Sequence, residues 1–141
     1  MIVLDTNILS ELMKQSPEKA VTDWMVRQDA EELCTTAICQ AEILAGITVL
    51  PDGKRKRDLE RGASNVFSNV LAGKVLPFGS DAALHFANVI ARRRTVGLPI
   101  EAPDAMIAAI ALAHGASVAT RNIPDFINCG VVLHNPWDAP A

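Results

Sequence analysis

Along the chain, short continuous apolar runs alternate with longer stretches of helical spacing. Ile2, Val3 and Leu4 form the first run, and Asp5, Thr6 and Asn7 close it. A short apolar run bounded by turn-forming residues predicts a buried strand. Ile8, Leu9 and Leu12 then recur at helical spacing, so a helix starts at once. Pro17 opens a second helix with Val21, Trp24 and Met25 inward, and Glu32 to Thr35 predicts a second strand. Thr35 and Thr36 offer an N-cap to an apolar helix from Ala37 to Leu50, which Pro51-Asp52-Gly53 breaks. Lys54 to Val70 predicts a charged amphipathic helix with Leu59, Val66, Phe67 and Val70 inward, stopped at Gly73. Val75 to Phe78 is extended. Ser80 is placed to cap a long helix through Ala83, Leu84, Ala87, Ile90 and Ala91, ending at Gly97. Pro103 opens an Ala-rich helix from Asp104 to His114, and Gly115 is its left-handed stop. Ser117 to Thr120 predicts a buried strand, Arg121 to Asp125 a polar turn, and Val131 to Leu133 a last strand before a Pro-rich tail.

Strands alternating with helices predict an α/β fold, a three-layer α/β/α sandwich around a mostly parallel sheet. The pattern leaves the order of the strands open. In such sheets ligands bind beyond the carboxyl ends of the strands, where Asp5 is expected.

The 141 residues suit one domain spanning 1–141. No apolar run approaches the roughly 18 residues that cross a bilayer. Asp5 and Asn7 interrupt any signal-type core, so a cytoplasmic protein with no membrane contact is expected. Cys34, Cys39 and Cys129 are odd in number with no close pair, which argues against a disulfide framework and against a zinc site. Free buried thiols fit a reducing compartment. The net charge of −3 gives no overall attraction for nucleic acid, but the cations are clustered. Lys54, Arg55, Lys56, Arg57 and Arg61 form one group, and Arg92, Arg93 and Arg94 another. Each reads either as a solvated face or as a hold on an RNA backbone. Aromatic residues are only 4% and tyrosine is absent, which disfavours a base-stacking platform.

Four carboxylates stand out. Asp5 ends a strand, where it is either a helix cap or a ligand. Glu42 lies in an apolar helix, as an exposed polar edge or as a buried acid needing a partner. Asp104 sits in a first helical turn, where the helix dipole alone would favour it. Ala105, Ala108, Ala109 and Ala111 make that helix slim enough to approach the sheet. Asp125 follows a strand exit in a Pro-containing turn. Brought into one crevice, these acids would repel one another unless a cation intervened. Oxygen-only donors select Mg²⁺ or Mn²⁺, and such a site suits phosphodiester hydrolysis by one or two ions. Other chemistries lack their residues. There is no Gly-x-Ser-x-Gly elbow and no phosphate-binding loop, and His85, His114 and His134 are scattered. The start resembles haloacid-dehalogenase phosphatases, which need a second Asp where Asn7 stands.

Leu4-Asp5-Thr6-Asn7-Ile8-Leu9-Ser10-Glu11 resembles the opening of PIN-domain ribonucleases, in the VapC and FitB branch of bacterial toxin–antitoxin systems. Thr36-Ala37-Ile38-Cys39-Gln40-Ala41-Glu42-Ile43 is similar to the family's second motif, and Ala102-Pro103-Asp104-Ala105-Met106-Ile107-Ala108-Ala109 to its third. Ala119-Thr120-Arg121-Asn122 through Asp125-Phe126 resembles the fourth, and Asn135-Pro136-Trp137 the end of FitB-type members. The resemblance implies a Mg²⁺- or Mn²⁺-dependent endoribonuclease toxin with Asp5, Glu42 and Asp104 as its catalytic, metal-holding acids. It places a fourth acid at Asn122 or Asp125; Asn122 is neutral, so Asp125 is assigned. Thr6, Asn7, Thr120 and Arg121 become support or substrate contacts. The implied partners are RNA, a cognate small DNA-binding antitoxin and a second copy of the chain. A non-catalytic RNA- or partner-binding protein of the same fold and a metal-dependent phosphatase are the competing expectations.

Overall fold

In a computed structural model that describes residues 1–138, β1 (Ile2–Leu4) lies at the centre of one five-stranded sheet. Around it stand β2 (Leu33–Thr36), β3 (Val75–Leu76), β4 (Ser117–Ala119) and β5 (Leu133–His134). The order is β3-β2-β1-β4-β5, and every pairing is parallel. Parallel neighbours need crossovers, which are supplied by α1 (Thr6–Leu12), α2 (Lys19–Arg27), α3 (Ala37–Thr48), α4 (Lys54–Asn65), α5 (Ser80–Thr95), α6 (Ala102–Ala113) and the short α7 (Ile123–Phe126). The chain moves outward from β1 to β3, then returns to β4 on the other side of β1. With right-handed crossovers, that reversal distributes the helices over both faces. The result is the expected α/β/α sandwich.

The core follows the apolar runs. Val3, Leu4, Val118 and Ala119 of the central strands are fully buried, under Ile8, Leu9 and Ile107. Ala105, Ala108, Ala109 and Ala111 of α6 are also fully buried, as their small size suggested, and α5 packs along this helix. Glu11 of α1 is buried too. It accepts the Glu18 N–H at 3.0 Å where α2 begins and pairs with Lys14 at 2.6 Å.

Several expected boundaries shift. Val70 is exposed and Leu71 points inward, because the Leu71 N–H bonds back to the Val66 carbonyl at 2.8 Å. That wider turn advances the inward position by one residue. Gly79, not Ser80, occupies the cap position of α5. The buried stripe of α5 runs through Ala82, Val89 and Arg93, while Leu84 is 68% exposed. Ala83, Leu84, Ala87 and Ala91 therefore face away from the core, since apolar type alone did not identify the side that meets α6. Arg121 to Asp125 is not only a turn: α7 follows Asn122 and is too short for periodicity to reveal. The last strand is Leu133–His134 rather than Val131 to Leu133, because its register is set by pairing with Val118 and Ala119. The Pro-rich tail starts as a turn at Pro136–Asp138, and residues 139–141 lie outside the described residues. Among the described residues no helix is long and apolar enough to cross a membrane, and the three cysteines are free and buried.

Candidate functional site

The strand order reverses between β1 and β4, and in open α/β sheets ligands bind beyond the carboxyl ends of the strands at such a point. Asp5 leaves β1 at that point. Its N–H still extends the sheet, to the Ala119 carbonyl at 3.0 Å, while its side chain caps α1. Asp5 Oδ1 accepts the Thr6 N–H at 2.8 Å; Oδ2 accepts the Thr120 hydroxyl at 2.8 Å and the Asn7 amide at 3.1 Å. Asp5 as a whole is only 5% exposed. Burial pushes its pKa above the ordinary value; the bonds from Thr120, Thr6 and Asn7 oppose this, and the charge of Asp125 adds to it.

Asn7 and Thr120 are struts. Asn7 Nδ2 also donates to Thr120 Oγ1 at 3.2 Å, and Asn7 Oδ1 accepts the Arg121 N–H at 3.1 Å. Thr120 Oγ1 accepts the Asn122 N–H at 3.0 Å. The exits of β1 and β4 are thereby locked to each other. The Arg121 guanidinium lies elsewhere, 4.9 Å over the Trp137 ring. Buried Cys39 brings its Sγ to 3.9 Å from Asp5 Oδ1, and burial holds that thiol neutral by raising its pKa.

Glu42 resolves the alternatives left by its sequence setting. It is exposed on α3, and its Oε1 accepts the Thr6 hydroxyl at 2.9 Å. Asp104, half-buried in the first turn of α6, has its pKa pushed up to about 6. Burial is the main cause, followed by the charges of Asp125, Asp5, Glu42 and Glu101. The charges of the other three acids picked out by sequence thus all reach Asp104. Glu101 is a fifth acid in the same field, which sequence reasoning missed because it lay in a loop before the helix. Asp125 raises the pKa of both Asp5 and Asp104 from its exposed place on α7. Asn122 contributes its backbone N–H and caps α7 with no side-chain bond.

Among the described residues, no ion pair reaches Asp5, Glu42, Asp104 or Asp125. A set of unpaired, mutually repelling oxygen donors fits a hard divalent cation. No three of these described His, Cys, Asp or Glu side chains cage an ion unaided. That suits an ion that binds through one or two carboxylates and keeps its waters.

A groove of about 410 Å³ leads away from Thr6 and Glu42, past Ile43 and Ile47, to Lys14 and Arg55. A neighbouring bay of about 660 Å³ shares Lys14 and Arg55 and adds Lys54 and Arg61. Part of the predicted basic group therefore lines a groove that starts at Glu42.

Arg93 fits neither alternative for its arginine run, a solvated face or a hold on an RNA backbone. It is buried, and it bonds the Asp125 backbone carbonyl. Its signal lay in the spacing: Ala82, Phe86, Val89 and Arg93 fall on one side of a helix.

The PIN domain family model matches residues 2–125. The chain is 42% identical over 138 residues to the VapC ribonuclease Y4jK of Sinorhizobium fredii (strain NBRC 101917 / NGR234), covering 98% of this chain and 99% of that protein. It is 35% identical over 137 residues to the toxin FitB of Neisseria gonorrhoeae (strain ATCC 700825 / FA 1090), covering 97% and 99%. Among solved structures it resembles FitAB bound to an IR36 DNA fragment, with a TM-score of 0.90 and 34% identity over 100% of this chain and 99% of that one. Matched over residues 2–125 by the family's own model and over nearly its full length by these relatives, the chain belongs to the PIN-domain family.

Proposed function

We propose that this protein is a divalent-metal-dependent endoribonuclease that acts in the cytoplasm as the toxin of a toxin–antitoxin pair. One observation carries the reading: Asp5, Glu42, Asp104 and Asp125 share an electrostatic field beyond the ends of β1 and β4, with no cation paired to them among the described residues. Asp5, Glu42 and Asp104 would hold Mg²⁺ or Mn²⁺, one or two of them directly and the rest through its waters, with Asp125 as the fourth acid. When bound, such an ion supplies charge neutralisation and a bound water of lowered pKa. Asn7 and Thr120 hold the Asp5 carboxylate by hydrogen bonds from one side, and Thr6 orients Glu42. The groove from Glu42 to Arg55, a cation with no ion pair among the described residues, suits the phosphates of an extended polyanionic strand better than a small ester. Similarity to a VapC ribonuclease and to FitB supports the substrate class. The DNA-bound FitAB complex supports a small DNA-binding antitoxin as partner, and the family resemblance adds a homodimer.

Purified protein incubated with RNA and Mg²⁺ or Mn²⁺ is expected to cut internal phosphodiester bonds, and EDTA to stop it. Turnover of small phosphate esters without RNA cleavage would favour a phosphatase. RNA binding without cleavage under either ion would favour a non-catalytic binding protein.

A further inference from the structure

We propose that Arg93 is a positioning residue: it bolts α7 in place and so sets where the Asp125 carboxylate stands relative to Asp104 and Asp5. The inference rests on the reading above, in which Asp125 completes the acidic site.

Arg93 lies on α5, outside the four acid-bearing motifs, and is only 4% exposed. Among the described residues it has no carboxylate partner. A buried guanidinium without a counter-ion is costly unless its donors are satisfied. Carbonyls take three of its five N–H donors here. Nε donates to Leu98 O at 2.6 Å, which ties the exit of its own helix. Nη1 donates to Asp125 O and Ile127 O, both at 2.9 Å. Pro124 O at 3.5 Å and Cys129 Sγ at 3.9 Å lie farther off, and the two Nη1 hydrogens serve the nearer pair.

Those two carbonyls end α7, where helix carbonyls lack partners of their own. A helix of four residues does not hold itself in water. Phe126 anchors one side of α7 in the core, α6 packs against it, and the Arg93 fork fixes its end. Asp125 has no side-chain hydrogen bond among the described residues, so its position follows from this backbone. Lysine cannot reproduce the fork, because it offers a point charge in place of a planar set of donors.

The test is calorimetric titration of the full chain with Mn²⁺ alone, for wild type, Arg93→Lys, Asp125→Asn and the double variant. Arg93→Lys is expected to bind Mn²⁺ roughly tenfold more weakly, the lower end for groups that orient metal ligands. In the Asp125→Asn background the same change is expected to cost less than about twofold, because its effect runs through Asp125. Equal losses in both backgrounds, or no loss in either, overturn the proposal while leaving the metal reading intact. A wild type that takes up no Mn²⁺ overturns both. Wild-type protein alone gives a check that needs no variant to fold. In its NMR spectra the Arg93 Nη1 protons should resist exchange with water, and freely exchanging ones would refute the tether.

Discussion

Asp104→Asn is expected to make the metal-free protein more stable and the enzyme inert. In the folded chain Asp104 titrates near 6, raised by burial and then by Asp125, Asp5, Glu42 and Glu101. In the unfolded chain it returns to about 3.8. Below the unfolded value both states are protonated, and nothing is lost. As pH rises toward 6 the unfolded chain ionises first, so stability falls. Above 6 the full penalty remains, on the order of 2 kcal/mol after allowance for the half-exposed setting. Asparagine has no charge to repel its neighbours. At pH 7 in EDTA the variant should therefore melt about 5 °C above wild type, and at about pH 3, below the unfolded value, the difference should vanish. RNA cleavage should fall roughly a thousandfold, about 4 kcal/mol of lost transition-state stabilisation. Thermal melts at the two pH values, beside a cleavage assay, check both halves. A metal-free variant less stable than wild type at pH 7 would mean that Asp104 is held by a favourable partner rather than by repulsion.

Thr120→Val is expected to cost stability and to disturb Asp5 at the same time. Valine keeps the shape of threonine but removes a hydroxyl in a fully buried position. That hydroxyl donates to Asp5 Oδ2 and accepts from Asn7 Nδ2 and the Asn122 N–H. Three groups lose a partner, one of them a buried carboxylate, and the expected loss is about 3 kcal/mol. The Thr120 bond is the largest influence holding down the pKa of Asp5, so its removal sends that pKa higher. If ionised Asp5 is needed for metal uptake, the acid limb of the pH–activity profile moves to higher pH. Thr120→Ser should restore both the melting temperature and the profile, because it returns the hydroxyl. A profile that does not move in Thr120→Val would separate Thr120 from the chemistry and leave it a structural role.

The central part of the fold was legible because local signals agreed there. Ile2 to Leu4 is a short apolar run ended by a capping acid, and Thr36 caps α3 through the Cys39 N–H as its sequence position suggested. Asp5 and Asp104 were identifiable because each sits at a helix start next to a buried element. The misreadings arose where long-range contacts decide. The facing of α5 depends on α6, and the position of β5 depends on its register with β4. Arg93 looked like surface charge because three arginines in a row carry no period of their own. Glu101 carries no sequence signal of its own, because its effect is felt only through Asp104. Sequence could not show that the charge of Asp125 reaches Asp5 and Asp104, because that proximity exists only in the folded chain.

The central claim is that these acids share one divalent cation. Its most direct test is a Mn²⁺ titration of the wild-type chain followed by calorimetry, repeated on Asp5→Asn. Wild type is expected to take up Mn²⁺ more tightly as pH rises through 6, when Asp104 ionises, and Asp5→Asn to lose that uptake. Equal Mn²⁺ binding by the two proteins, or binding indifferent to pH across that range, would contradict a metal centre built on Asp5 and Asp104.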